Sequence, residues 1–155
     1  VSSVSPLLTS SLRYLKFLKP AFMVIKRETL KAVKQNHPGG SWGYRIEVDN
    51  RIIVICTDLE HGENINEEIV EFARGADLLI HEAQYTDEEL LTHKGWGHSS
   101  FNQAIEVAER AGAKMLAMTH HDPDHDDEFL RKIEKQCQDR FKYCVLAREG
   151  MSIEV

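Results

Sequence analysis

Apolar positions recur at two different spacings along this chain. Up to residue 56 they alternate with polar positions, as at Tyr44, Ile46 and Val48, or form short runs such as Ile52–Cys56. Both patterns predict strands, and Asp49-Asn50 is a typical turn between two of them. The predicted strands cover residues 29–35, 42–48 and 51–56. Because the last is apolar on both faces, we expect it in the centre of a sheet.

From residue 66 onward, helical and extended patterns alternate. The predicted helices run from about Asn66 to Arg74, from the capping box Thr86-Asp87-Glu88-Glu89, from Ser99 or Ser100 to Gly112, and from Asp126/Asp127 to Phe141. The predicted strands are 78–80, 115–118, 143–147 and 151–155. Strands followed by alternating helices and strands predict an α/β layered fold.

The start of the chain has its own pattern. Leucines at helical spacing over residues 6–19, with Ser5 as a cap and Pro20 as a stop, predict a short amphipathic helix. Ala21–Ile25 is a further strand candidate. We therefore divide the chain into an N-terminal segment, residues 1–20, and one folded unit, residues 21–155.

The composition fits one globular domain of 155 residues that is 42% hydrophobic and 28% charged. Nineteen basic and 25 acidic residues give a formal net charge of −6, which argues against nucleic acid as a partner. No apolar stretch reaches the length of a membrane span, so no membrane partner is expected. Three scattered cysteines are too few for a disulfide framework, which predicts a cytoplasmic protein.

Titratable residues follow three of the predicted strands. Asp58, Glu82 and His120 each come just after an apolar strand. Ligands bind at the carboxyl ends of strands in open α/β sheets, so these side chains would meet if the strands are parallel neighbours. Imidazole and carboxylate groups bind zinc, manganese or iron. His121 and His125 share a loop with His120 and compete for its role.

Two loops bring further histidines to the same edge. Residues 36–41 contain His37, and residues 95–100 contain His98, whose glycine neighbours let the backbone approach a ligand closely. Structural explanations stay open for each candidate. Asp58 could bond backbone amides at a strand end, His37 could be an ordinary loop residue, and His98 could neighbour a helix cap.

The remaining imidazoles and indoles receive structural interpretations. His61, His93 and His125 are interpreted as solvated surface residues and not as ligands. His81 is interpreted as pointing to the opposite side from the glutamate that follows it. Trp42 and Trp96 are interpreted as packing residues, although Trp96 borders the candidate site.

In combination, several of these segments resemble the metallo-β-lactamase fold, in the branch of ribonuclease Z and related phosphodiesterases. They are, in chain order, Asn36-His37-Pro38-Gly39-Gly40-Ser41-Trp42-Gly43-Tyr44-Arg45-Ile46, Thr57-Asp58, Leu79-Ile80-His81-Glu82-Ala83, Gly97-His98-Ser99-Ser100 and Thr119-His120. The resemblance covers about residues 30–125. It implies that His37 and His120 each bind one of two metal ions, which Asp58 bridges. It further implies that His98 contacts the scissile phosphate or helps the leaving group, and that Glu82 orients His98.

One feature of the family is missing. Its His-x-His-x-Asp-His segment, which supplies most of the metal ligands, does not occur in these 155 residues. The resemblance therefore implies the second half of an αβ/βα sandwich that lacks the N-terminal half. We expect two divalent metal ions in the complete enzyme, zinc first and manganese or iron as alternatives. This chain alone is expected to bind metal weakly or not at all.

Three functions follow from these expectations. The first is a metal-dependent hydrolase of a small phosphodiester or cyclic nucleotide, which is inactive as this chain alone. The second is a non-catalytic domain used for assembly, whose partner is the missing N-terminal half or a second copy of the chain. The third is an RNA-processing nuclease, which follows from the ribonuclease Z resemblance and which the acidic balance disfavours.

Overall fold

Six strands form one mixed sheet in the computed structural model, which describes residues 28–155. The strands are β1 Thr29–Gln35, β2 Ser41–Val48, β3 Arg51–Cys56, β4 Leu78–Glu82, β5 Leu116–Thr119 and β6 Cys144–Leu146. They lie in the sheet in chain order. β1, β2 and β3 pair antiparallel, whereas β3, β4, β5 and β6 pair parallel. The predicted α/β class is confirmed, and three strands with polar ends are parallel neighbours.

Four helices connect or follow the parallel strands. They are α1 Glu67–Phe72, α2 Asp87–Thr92, α3 Phe101–Ala111 and α4 Asp127–Arg140. Thr86 and Ser100 close capping boxes at the starts of α2 and α3, because each side chain accepts a hydrogen bond from the third helical residue. Gly112 ends α3 at a φ of 65°, a conformation that glycine adopts without steric cost. Local chemistry thus sets these helix ends.

The core lies between the helices and one face of the sheet. Val54 and Cys56 of β3 are fully buried on this face and pack in one cluster with residues of α1, α3 and α4. The opposite face retains exposed apolar side chains. Leu30, Trp42 and Tyr44 are 68%, 55% and 43% exposed. The sheet therefore has one covered and one open apolar face within residues 28–155.

Several predicted boundaries differ from the structure. β4 runs two residues past its predicted end, so His81 and Glu82 belong to the strand, and both are buried. No strand forms at residues 151–155, which follow the left-handed turn at Gly150 and stay mostly exposed. The predicted helix at 6–19, the strand at 21–25 and the boundary at residue 20 lie outside the described residues. None of the helices in the described part has the length and apolar character needed to span a bilayer.

A buried pair of imidazoles ties the loop after β3 to β4. The Asn66 N–H donates to His61 Nδ1 at 3.2 Å, so the ring proton of His61 resides on Nε2, which lies 3.3 Å from His81 Nε2. His81 then donates from Nδ1 to the Glu82 carbonyl oxygen at 2.6 Å. Burial lowers the pKa of His61 to about 3 and that of His81 to about 4. His61 is therefore a neutral interior residue, and the predicted surface position is wrong.

This pair makes the stability of the fold sensitive to acid. Because both pKa values are depressed in the folded chain, the unfolded chain takes up more protons as the pH falls from about 6.5 toward 4, and stability falls with it. His61→Gln removes one such group. We expect it to reduce the slope of the unfolding free energy against pH by up to about 1.4 kcal/mol per pH unit near pH 5.

Urea unfolding followed by circular dichroism at pH 7, 6, 5 and 4.5 measures this slope. His93→Gln is the matched control for loss of a histidine outside the buried pair. Equal slopes for the wild type and His61→Gln would contradict the assignment.

Candidate metal centre

Three side chains with metal-binding groups converge at the carboxyl edge of the sheet. Asp58 follows β3, His120 follows β5, and His98 comes from the loop before α3. One donor atom from each lies within 4.8 Å of the other two. Asp58 Oδ1 and His120 Nε2 are 3.8 Å apart. Donors at about 2.0–2.2 Å from one zinc ion lie about 3.3–3.6 Å apart at tetrahedral angles, so a small inward shift of these side chains would let the oxygen and nitrogen set hold a divalent metal.

The backbone at two of these residues is unusual. Asp58 has a φ of 56° and His120 a φ of 61°, in the left-handed region that side chains other than glycine rarely adopt. Among residues 28–155, the other non-glycine residues with positive φ are Asp49 and Asn50 of the β2–β3 turn. At the site itself, Ser41 Oγ donates to the Asp58 carbonyl oxygen at 2.6 Å and holds the backbone of Asp58 in this conformation. Strain of this kind, held in place by its surroundings, is typical of functional sites.

His37 lies beside this cluster and not within it. Its ring centroid is 5.5 Å from that of His98. The Gly39 N–H donates to His37 Nδ1 at 3.0 Å, which leaves Nε2 as the nitrogen that can bind a metal. A Cβ atom at Gly97 would lie 2.1 Å from His37 Cδ2, so this loop can approach His37 only because residue 97 is glycine. The role of His37 as a ligand stays a prediction.

The buried carboxylate of Glu82 orients His98. It accepts the Leu59 N–H at 2.6 Å and the Ser99 N–H at 3.0 Å, and His98 Nδ1 lies 3.1 Å from Oε1. An Nδ1–H donated to this carboxylate leaves the lone pair of His98 Nε2 available for a metal or a proton. The rings of His98 and His120 stack at 4.9 Å between centroids. The pair formed by Glu82 and His98 therefore lies next to any group bound at Asp58 and His120.

Burial shifts the pKa of both members of this pair. It lowers the pKa of His98, assisted by the neighbouring imidazoles of His120 and His37, and the Asp58 carboxylate opposes this shift. Burial raises the pKa of Glu82 to about 8, against the N–H groups of Ser99 and Leu59, which lower it. The N–H groups of Leu59, Ser99 and His98 favour the ionised form of Glu82, so the carboxylate can orient a neutral His98 and support proton transfer by it.

The segment Asp58–His61, here called the anchor segment, links the loops of the site. Leu59 O accepts a hydrogen bond from Ser99 Oγ at 2.5 Å. The Glu60 N–H donates to Asn36 O at 2.9 Å, and Asn36 Nδ2 donates to Glu60 O at 3.1 Å. The Glu60 carboxylate accepts the N–H groups of residues 95 and 97 at 2.8 Å and 2.9 Å. Sequence reasoning missed Glu60, because its partners are backbone groups of distant loops.

The other histidines of the β5–α4 loop have different partners. His121 Nδ1 lies 3.4 Å from Ala83 O, and His125 Nε2 lies 2.9 Å from Glu89 Oε1. Neither belongs to the donor cluster found among the described residues. The geometry therefore brings His120, and not its two competitors, to Asp58.

Comparisons with known proteins point to one family. A family model described as "Beta-lactamase superfamily domain" matches residues 20–121. The chain is 45% identical over 80 residues to a ribonuclease Z of Brevibacillus brevis, which covers 50% of the chain and 23% of the relative. It is 34% identical over 109 residues to a ribonuclease Z of Agathobacter rectalis, which covers 66% of the chain and 32% of the relative. The chain thus spans about a quarter to a third of these relatives.

A solved structure with a similar fold is the short form of human tRNase Z. It superimposes with a TM-score of 0.62 at 26% identity and covers 84% of this chain and 44% of that one. The metallo-β-lactamase fold protein YhfI from Bacillus subtilis superimposes with a TM-score of 0.64 at 24% identity, over 80% of this chain and 48% of that one. The latter likeness concerns the fold alone.

The expectation that a nucleic acid partner is unlikely, and that a small phosphodiester or cyclic nucleotide is favoured, is wrong. The relatives are named ribonuclease Z, and a structural neighbour is a tRNase. The net charge of −6 misled because it sums the whole chain. Seven of its acidic residues lie in the first turns of helices, where their negative charge interacts favourably with the positive end of the helix dipole: Glu67, Glu68, Asp87, Glu88, Glu89, Asp127 and Glu128.

Metal binding tests the donor set directly. His120→Ala removes the donor that lies 3.8 Å from Asp58 Oδ1, so we expect the affinity of the chain for Co²⁺ to fall by at least about tenfold. The visible absorption of bound Co²⁺ and calorimetric titration with Zn²⁺ measure the change. His93→Ala, which removes an imidazole outside the cluster, should bind both ions as the wild type does. An affinity unchanged by His120→Ala would exclude this centre.

Proposed function

Because the chain belongs to the β-lactamase superfamily and has the metallo-β-lactamase fold, we propose that it carries part of the active centre of a metal-dependent RNA phosphodiester hydrolase. The observation that carries this proposal is the convergence of Asp58, His98 and His120 beside the buried carboxyl group of Glu82. The names of the ribonuclease Z relatives support RNA as the substrate class.

Asp58 and His120 are the residues that would hold the metal, with His37 as a further ligand through Nε2. The donor set of one carboxylate and two imidazoles suits zinc, manganese or iron. When bound, such ions would polarise the phosphoryl oxygens and lower the pKa of water. The strained backbone at Asp58 and His120 supports this role, because it fixes the direction in which each side chain leaves the backbone.

His98 and Glu82 would move the proton. A neutral His98 holds a lone pair on Nε2 at the edge of the centre, while its Nδ1–H remains on the Glu82 carboxylate. The imidazole can take a proton released at the attacking water and give it to the departing oxygen of the RNA chain. Glu82 stabilises the imidazolium that forms between these two transfers, and its bonds to Leu59 and Ser99 prevent it from turning away.

The open apolar face of the sheet supports a second candidate function. Leu30, Trp42 and Tyr44 remain exposed there, as expected for a domain used in assembly. Self-association without RNA cleavage would favour this non-catalytic alternative.

Cleavage of single-stranded RNA by the complete gene product, with zinc or manganese added, tests the leading proposal. We expect His98→Ala to lower kcat by about 10²–10⁴-fold, because proton transfer to the leaving oxygen is lost. Glu82→Gln keeps the size of the side chain but cannot stabilise an imidazolium, so we expect a loss of kcat in the same direction.

Leu91→Ala alters an exposed side chain of α2 and serves as the control that retains wild-type cleavage. RNA cleavage that is absent from the wild type, or indifferent to His98→Ala, would refute the proposal.

A further inference from the structure

We propose that Trp96 is a stacking platform for a nucleobase beside the metal centre and that the Glu60 carboxylate holds this platform in position. The proposal rests on the proposed function as an RNA hydrolase. It assigns the site that would hold a nucleotide next to the cleaved bond.

The position of Trp96 differs from its interpretation as a packing residue. Its indole is 59% exposed, although it lies only two residues before His98. On one side it contacts the His93 ring at 4.6 Å between centroids, with the two rings nearly perpendicular. His93 stacks on the buried ring of Tyr85 at 4.5 Å, and Tyr85 in turn lies 6.1 Å from His98. The indole is thus braced by a row of rings that leads to the site.

The loop that carries Trp96 is held in position by the side chain of Glu60. The Glu60 carboxylate accepts the Gly95 N–H through one oxygen and the Gly97 N–H through the other, so it grips the backbone on both sides of the indole. Both glycines have positive φ, at 83° and 98°, and would otherwise leave the loop free to rearrange. Because Glu60 is itself bonded to Asn36, the platform is ordered before a ligand arrives.

The chemistry of this surface fits a nucleobase. A large π surface next to a phosphodiester site can stack any base, and removing such an aromatic side chain lowers affinity for single strands by about 5- to 150-fold. Lys94 is exposed and makes no ion pair within residues 28–155, so its ammonium group can contact a phosphate of the same strand. The loop thus carries an exposed indole and an exposed lysine two residues apart in the sequence.

Fluorescence of a single tryptophan tests the platform. The chain has two tryptophans, so Trp42→Phe leaves Trp96 as the only reporter. In this background, we expect a single-stranded adenosine hexaribonucleotide to quench Trp96 emission, whereas inorganic phosphate and ribose 5-phosphate leave it unchanged. Equal quenching by phosphate alone would overturn the assignment of a base site.

Affinity for the same hexaribonucleotide, measured by fluorescence anisotropy of a labelled strand, tests how much Trp96 contributes to RNA binding. Trp96→Ala is expected to weaken binding by about 5- to 150-fold, and Trp96→Phe to restore most of it. Leu91→Ala removes a comparably exposed apolar side chain from α2 and should bind as the wild type does. Equal affinity of Trp96→Ala and the wild type would overturn the platform.

Glu60 is a positioning residue, and its test differs from that of Trp96. Glu60→Gln retains the side-chain size but replaces one of the two acceptor oxygens with an NH₂ group, which cannot accept a backbone N–H. We expect faster hydrogen exchange at the Gly95 and Gly97 amides and weaker RNA binding, with the Trp96→Phe rescue abolished when the two changes are combined. Unchanged exchange at both amides would remove Glu60 from the proposal.

Kinetics of the complete gene product separate failure of the platform from failure of the function. If Trp96 contributes only to substrate binding, Trp96→Ala raises KM and leaves kcat nearly unchanged. RNA cleavage with an unchanged KM would refute the platform and leave the hydrolase intact. Absence of both RNA binding and RNA cleavage in the wild type would refute both.

Discussion

The buried carboxyl group of Glu82 is the constraint on which the site depends. It lies at the end of β4 with no exposure to solvent, and such a group is costly to bury unless it is hydrogen-bonded. Its partners come from the segment after β3 and the loop before α3. Because these bonds are needed for the strand to end in the interior, the position of His98 is linked to the stability of the sheet. The site is therefore built into the packing of the fold.

Local chemistry made much of the fold predictable. The Asp49-Asn50 turn, the capping boxes at Thr86 and Ser100, and the apolar run of β3 all act through neighbours a few residues away. The resemblance to the metallo-β-lactamase fold is confirmed by the family match and the similar structures. It rested on several segments in a fixed order, which is far more specific than any single motif.

Features set by distant partners were not predictable. Glu60 grips amides 35 and 37 residues further along the chain, and His61 pairs with a ring 20 residues away. His81 and Glu82 are polar, which suggested that the strand ended before them. In the structure they are buried, because hydrogen bonds to Leu59 and His61, in the segment after β3, compensate for their desolvation. Periodicity reports which side of an element is apolar, and it carries no information about such bonds.

The left-handed backbone at Asp58 and His120 sets thermal stability of the fold against retention of the side chains of the site. A glycine at either position would relax the strain, worth roughly 1–2 kcal/mol per residue, and would delete one of the proposed metal donors in the same step. Directed evolution for heat resistance alone would thus be drawn toward variants that fold better and have an eroded centre. Any such campaign needs a simultaneous screen for metal retention, since a gain in melting temperature at either residue would remove a side chain of the proposed centre.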